Sequence, residues 1–429
     1  MTGKRSRWVK AGAMLLIMQG VGCSQVEPTP EAPPGAELPA DPGERPAPPA
    51  PETPSRPSET PSEPPAPPPA PSSDAPETAL SCEALWPGEP GTSRSITLDP
   101  NARDADCGPG TSNGAGFLAL MNSGYPGVSA WDIVTPDGVD TEYVIVAGDS
   151  TVDIYPQPRG FYVTPSSPGG VWMSMNVANG DWLGSFTVTD SWNTPYDVAP
   201  DPAGGALVTV WEPREGDLQV LTSRFVEAYA QPRTSVREWV SAPTDEARFV
   251  IAGVDTRGRG LLLWPEPSGT GWGGRWLKPD GTALTASFTF PAPPVTPHDV
   301  TNLYPLAGGG LALRSGAQWI AHFPSGETTA APAPGWLASH PGSDLVLVRG
   351  GRANALIPPS TFVEGAGCRE TLLLFTQDGT ACGEVAFPLD GDTCFRRRLG
   401  IGVDGTVVQQ VDARATNQCA WRWWPEFLK

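Results

Sequence analysis

The sequence predicts an all-β fold made of repeated four-stranded units. Three observations lead there. Helical periodicity is almost absent, while short apolar, β-branched and aromatic runs recur. Gly, Pro and polar-Gly turns separate those runs. Strand-and-turn units also return at roughly 50-residue spacing, the mark of a repeat architecture.

The runs come first. Tyr143-Val144-Ile145-Val146, Leu207-Val208-Thr209-Val210, Leu261-Leu262-Leu263-Trp264, Leu345-Val346-Leu347-Val348 and Thr371-Leu372-Leu373-Leu374-Phe375 read as buried strands. An aromatic-or-His, Asp, β-branched unit occurs at Trp131-Asp132-Ile133, Tyr196-Asp197-Val198 and His298-Asp299-Val300. The last two copies are 102 residues apart, two steps of 51, and the first two are 65 apart. Glycine-led strands follow at Gly204, Gly260 and Gly308. Polar-Gly pairs at Asn179-Gly180, Asp280-Gly281, Ser325-Gly326, Asp378-Gly379 and Asp404-Gly405 supply the positive φ of two-residue hairpins.

Residues 82–429 at this spacing give about seven blades, so the sequence predicts a β-propeller of four-stranded sheets. Two β-sandwich domains are the alternative. A propeller must close its ring, and Arg94 to Leu98 is placed to do so beside Trp421-Arg422-Trp423. Neither the Gly-His…Trp-Asp pairing of WD repeats nor the Ser-x-Asp-x-Gly-x-Thr box of sialidases is present.

Residues 24–80 are Pro-rich, with ten acids, two bases and no aromatic. Such a segment cannot bury enough apolar surface to offset its ordering entropy. A disordered linker with a polyproline-II bias is expected. A ligand for proline-binding domains is the rival reading of Pro64 to Pro71.

Residues 1–22 carry Lys4, Arg5, Arg7 and Lys10, then an apolar core from Ala11 to Met18 too short to span a bilayer. Gln19-Gly20-Val21-Gly22-Cys23 resembles a bacterial lipobox. The resemblance implies cleavage before Cys23, lipidation of its thiol and a membrane anchor in the cell envelope. Ser24 is not Asp, so the family's inner-membrane retention rule does not apply, which points to the outer membrane.

Beyond Cys23 there are six cysteines: Cys82, Cys107, Cys368, Cys382, Cys394 and Cys419. An even count behind an export signal reads as three disulfides in an oxidising compartment. Cys82 and Cys107 bracket the closing strand and are placed to pair. A regular hairpin about Asp378-Gly379 keeps Cys368 and Cys382 apart, so Cys368–Cys394 fits better and leaves Cys382–Cys419.

The leader holds four of the 28 Lys and Arg and no acid, so against 47 acids the mature charge is −23. That surface repels nucleic acid phosphates and excludes nucleic acid as a partner. Three His, at 298, 322 and 340, lack metal-ligand spacing, and no metal site is expected from them. The cluster Asp99, Asn101, Asp104 and Asp106 offers oxygen ligands suited to Ca²⁺, without an EF-hand spacing; a solvated acidic loop is the plainer reading. Arg396-Arg397-Arg398 is the one basic run.

The candidate binding residues are Asp132, Asp197 and Asp299, which repeat, and Trp192 and Trp272, which fall in polar or Gly-rich stretches. Equivalent carboxylates on one rim would bind a cation or basic side chains; as structural groups they would accept backbone N–H bonds. Exposed Trp would anchor a partner. The function expected is an envelope-protein binding or scaffolding module. The alternative is a polysaccharide-binding or polysaccharide-cleaving protein, whose catalysis would need two carboxylates roughly 5–10 Å apart.

Overall fold

The structure is a computed structural model that describes residues 80–98, 106–123, 128–147, 151–158, 160–167, 170–177, 182–189, 194–227, 231–245, 249–266, 271–291, 303–306, 309–315, 318–388, 394, 399–411 and 418–428. The leader, Cys23, the Pro-rich linker up to residue 79, Asp99, Asn101, Asp104, Asn179-Gly180, Trp192, His298, Asp299 and Arg396 to Arg398 lie outside them.

A short helix α1 (Cys82–Leu85) precedes strand β1 (Arg94–Leu98). Six sheets then follow in chain order. Blade 1 is β2 (Asp106–Ser112), β3 (Leu118–Ser123), β4 (Val128–Val134) and β5 (Asp140–Ala147). Blade 2 is β6 (Thr151–Pro156), β7 (Gly160–Ser167), β8 (Gly170–Val177) and β9 (Trp182–Thr189). Blade 3 is β10 (Tyr196–Pro200), β11 (Ala206–Arg214), β12 (Leu218–Val226) and β13 (Arg237–Pro243). Blade 4 is β14 (Ile251–Val254), β15 (Gly260–Pro265), β16 (Gly271–Leu277) and β17 (Phe288–Pro291). Blade 5 is β18 (Leu303–Pro305), β19 (Leu311–Ser315), β20 (Gln318–His322) and β21 (Thr328–Pro332). A second short helix, α2 (Gly335–Ala338), leads to blade 6: β22 (Asp344–Val348), β23 (Ala353–Ile357), β26 (Thr371–Thr376) and β27 (Ala381–Ala386). Between β23 and β26 blade 6 carries a small separate hairpin, β24 (Thr361–Val363) and β25 (Gly367–Arg369).

Blade 7 is where the chain ends meet. Its strands are β28 (Leu399–Ile401), β29 (Val407–Val411) and β30 (Cys419–Trp424), and β1 completes it. Arg94 pairs with Trp423, Ile96 with Trp421 and Leu98 with Cys419. The described residues therefore form seven four-stranded antiparallel sheets, with blade 7 packed against blade 1 through β2, β28 and β29. This is a closed seven-bladed β-propeller, and the strand that closes it is the one the sequence indicates. No helix among the described residues is long and apolar enough to cross a membrane.

The continuous apolar runs follow from packing on both faces. On β11, Leu207 and Trp211 face a cluster shared with blade 4, including Leu262 and Trp264. The alternate residues Val208 and Val210 face a cluster shared with blade 2, including Tyr162 and Val188. Period-2 alternation with two apolar sides reads as an unbroken hydrophobic run.

The polar-Gly turns differ from the two-residue form. At Thr376 to Thr380 the N–H of Thr376 reaches Thr380 O, and that of Gly379 reaches Thr376 O. Asp378 keeps a negative φ and only Gly379 is left-handed, at +87°. This is a three-residue loop, a type I turn closed by a glycine bulge. The same hydrogen-bond pair recurs at 135–139, 278–282, 323–327 and 402–406.

The disulfides are Cys82–Cys382, Cys107–Cys419 and Cys368–Cys394. Three bridges and the Cys368–Cys394 pair agree with expectation; the other two pairings are corrected. β2 lies directly on blade 7, so near that a Cβ on Gly400 would collide with Gly110 O, and Cys107 thereby reaches Cys419. Helix α1 lands on β26 and β27 of blade 6, which brings Cys82 to Cys382. The hairpin regularity assumed for Cys368 also fails. Cys368 sits in β25 opposite Phe362, and Cys382 falls at a register shift between Leu374 and Phe375.

Candidate functional site

Asp132 and Asp197 do not occupy equivalent positions. Asp132 lies in β4, the third strand of blade 1, opposite Leu120 and Tyr143, and is buried. Asp197 lies in β10, the first strand of blade 3. Its Oδ1 accepts the N–H of Val198 at 2.8 Å, and its Oδ2 accepts the N–H of Ala252 on blade 4 at 2.7 Å. The carboxylate thus ties two blades together. Asp299 lies outside the described residues.

Trp272 is corrected. It belongs to strand β16 and is 5% exposed, with its ring edge-on to Phe249 at 5.0 Å. Its glycine neighbours Gly271, Gly273 and Gly274 are strand residues. Gly274 leaves room for the Phe288 ring, whose atoms would lie 2.5 Å from a Cβ there. A Gly-rich stretch that reads as loop is here a strand crowded by aromatics.

The repeating polar slot lies elsewhere. The residue directly after the first strand is Asn113, Gln157, Asp201 and Asp255 in blades 1 to 4, the first three 44 residues apart. In three of these turns the side-chain oxygen accepts backbone N–H groups of its own turn: Asn113 from Ala115 and Phe117, Asp201 from Ala203, Asp255 from Arg257 and Arg259. The slot also reaches the next blade. Gln157 Oε1 accepts from Gly205 N at 2.9 Å, and Asp255 Oδ2 from Gly310 N at 3.3 Å. Asp255 is fully buried and paired with Arg259 at 2.7 Å; Asp201 is paired with Arg233 at 2.9 Å. These groups are spent on the scaffold.

A surface cleft of about 460 Å³ lies between β9 of blade 2 and strands β11 and β12 of blade 3. Val188, Val208 and Val210 form its apolar floor, and Thr187, Thr189, Thr194, Thr222 and Ser223 line it with hydroxyls. Glu212, Arg214 and Arg224 supply the charge. Glu212 is compensated: Oε1 accepts from Thr222 Oγ1 at 3.1 Å, and Oε2 lies 3.1 Å from Arg214 Nη2. Arg214 is further paired with Glu238 at 2.7 Å.

Arg224 is different. Its guanidinium lies over the Phe186 ring at 4.5 Å and donates one bond, from Nη2 to Thr187 O at 3.1 Å. It has no carboxylate within ion-pair distance among the described residues. Burial pushes its pKa below the usual guanidinium value, and the Glu212 carboxylate offsets that only in part. Arg224 lies opposite Val208 in the ladder, on the face that otherwise holds valines. The signal in the sequence is that Thr222 and Arg224 interrupt the valine side of β12, between Val220 and Val226. Among the described residues no group of three or more His, Cys, Asp and Glu is placed to hold a metal, and Asp106 opens strand β2.

No protein-family model matches the sequence, and no curated protein does. Among solved structures, a streptogramin B lyase is similar with 12% identity and a TM-score of 0.45, over 77% of this chain and 97% of that one. A catalytically inactive virginiamycin B lyase from Staphylococcus aureus with quinupristin has 13% identity and a TM-score of 0.42, over 77% and 99%. The WD40 domain of SCAP from fission yeast has 9% identity and a TM-score of 0.41, over 79% and 96%. The fold stated above rests on strand order and register, independently of these likenesses.

Proposed function

We propose that this chain is an exported, lipid-anchored propeller that binds a partner protein of the cell envelope through the cleft between blades 2 and 3. The observation that carries the compartment is the set of three disulfides, because such bridges form and persist in oxidising surroundings. The lipobox-like Gly20-Val21-Gly22-Cys23 supports the anchor, and the Pro-rich residues 24–80 support a spacer between anchor and propeller. The cleft supports the binding role, since it joins an apolar floor to a half-buried cation and a ring of hydroxyls.

The test has two parts. Metabolic labelling with an alkyne fatty acid should mark the full chain and not its Cys23→Ser variant; an unlabelled wild type sinks the anchor. In-cell crosslinking should then capture a recurrent envelope protein whose yield falls at least fivefold in a Val236→Glu variant. Val236 lines the cleft and is 46% exposed, so the change alters the cleft without opening the core. Capture that ignores this substitution removes the cleft from the binding surface.

A further inference from the structure

We infer that the cleft between blades 2 and 3 is a receptor for a carboxylate of an acidic peptide segment, with Arg224 as the group that takes the carboxylate. The inference rests on the reading of this cleft as the binding site and adds the chemistry of what it binds.

Three features carry it. The first is charge. This is a strongly acidic chain, with 47 acids against 28 Lys and Arg, yet the described residues that line the cleft bring two guanidiniums and one carboxylate. The carboxylate, Glu212, is already matched by Arg214 and Thr222. Arg214 in turn is matched by Glu238, while Arg224 feels Glu212 through space and makes no direct ion pair among the described residues.

The second is pre-organisation. A guanidinium has five N–H donors in a planar fork that suits bidentate carboxylate. Arg224 spends one bond on Thr187 O, and the Phe186 face holds its plane. Ordering a long side chain normally costs free energy on binding; here stacking has already ordered it. A half-buried cation that no direct ion pair satisfies among the described residues is unfavourable to the free protein, and an incoming carboxylate relieves that cost.

The third is the rest of the lining. A sugar site usually offers an open aromatic face, but among the described residues no Trp, Tyr or Phe lines this cleft, and Arg224 covers the Phe186 ring. Valines beside Thr and Ser hydroxyls suit aliphatic side chains and peptide groups. The volume of about 460 Å³ lies within the range of pockets that hold small ligands.

The experiment is isothermal titration of the full mature chain in detergent micelles. The first probe is a tetrapeptide of Ala, Val, Asp and Val with a free C-terminus. The second is the same peptide with Asn for Asp and an amidated C-terminus. The third is a galacturonate trimer. The acidic peptide should bind at least tenfold tighter than its neutral twin, and the difference should shrink in high salt. Arg224→Gln should abolish the difference. Because Arg224 also helps join the two blades, Val236→Glu is the second variant; it should weaken the acidic peptide at least fivefold more than the neutral one.

Equal binding of the two peptides overturns the inference. So does no binding of the acidic peptide, or binding of the galacturonate trimer in its place. If partner capture depends on Val236 while the peptides bind equally, the binding role of the cleft stands and the carboxylate chemistry falls. If the acidic peptide binds as expected while capture ignores Val236→Glu, the carboxylate site stands and the partner reading falls.

Discussion

Blades 6, 7 and 1 hold all three disulfides, while blades 2 to 5 contain no cysteine at all. The first sector contains both ends of the propeller chain. Its closing strand β1 is joined to the ring by hydrogen bonds to β30 and by no short turn. A covalent clamp there acts where chain connectivity is missing. The second sector runs without interruption from blade to blade, and its neighbours are tied by polar side chains. Gln157 reaches Gly205, Asp197 reaches Ala252 and Asp255 reaches Gly310. Two of the three cross-links, Cys82–Cys382 and Cys107–Cys419, are placed where the chain stops guiding the fold.

The largest effect should come from the clamp. Replacing both Cys107 and Cys419 with Ser removes a bridge spanning 312 residues and should cost about 3–5 kcal/mol of unfolding free energy. Denaturant unfolding with hydrogen exchange would read it, with blades 1 and 7 losing protection before blades 3 and 4. Uniform loss would mean that the two sectors are not distinct.

Next comes acid, acting on the cysteine-free sector. His322 of blade 5 is fully buried; Nδ1 meets Thr328 Oγ1 at 3.0 Å, and the ring lies edge-on to Phe290 at 4.7 Å. Burial pushes its pKa down to about 4 from 6.5. The unfolded chain therefore binds a proton that the folded chain refuses as pH falls from 6.5 toward 4. Stability is full above pH 6.5 and is lost through that window, by about 3 kcal/mol for a 2.5-unit shift. Comparing pH-dependent unfolding of the wild type and His322→Gln isolates the term; identical slopes would refute it.

Asp197→Ala should cost about 1–3 kcal/mol, since it leaves the Ala252 N–H without its acceptor. Faster exchange at Ala252 than at Leu262 would locate the damage; unchanged exchange there means the latch contributes nothing. The smallest effect belongs to the clamped sector. Arg94 and Asp137 lie 3.1 Å apart, but their side chains are 45% and 85% exposed. Asp137→Asn should change stability by less than about 1 kcal/mol. A larger loss would show that this pair, rather than Cys107–Cys419, secures the ring.

Much of the fold was legible because its signals are local. Strand runs such as Leu261 to Trp264 and Asp-Gly turns such as Asp378-Gly379 declare themselves within a few residues. The closing strand was legible because Arg94 to Leu98 precedes the first blade and needs a partner at the far end. Three things were hidden. Disulfide pairing depends on how blade 1 meets blade 7, a long-range contact that no spacing encodes. The aspartate repeat misled because Trp131-Asp132 and Tyr196-Asp197 share letters while lying in different strands of their blades. The structural repeat at Asn113, Gln157, Asp201 and Asp255 accepts any side-chain oxygen that reaches a backbone N–H, so its letters vary. The cleft was obscured for a related reason: Arg224 is a charged residue facing Val208 in the ladder, and only the neighbouring blade gives it a role.

The bridge Cys82–Cys382 has a mechanical consequence. Cys82 lies twelve residues ahead of β1. A pull on the chain ahead of Cys82 enters the sulfur atoms and passes into β27 of blade 6, bypassing β1. Without the bridge the same load would reach Arg94 and could unzip β1 from β30 one residue pair at a time. With it, residues 83 to 93 stay slack, and the ring is hung from its frame instead of from its latch.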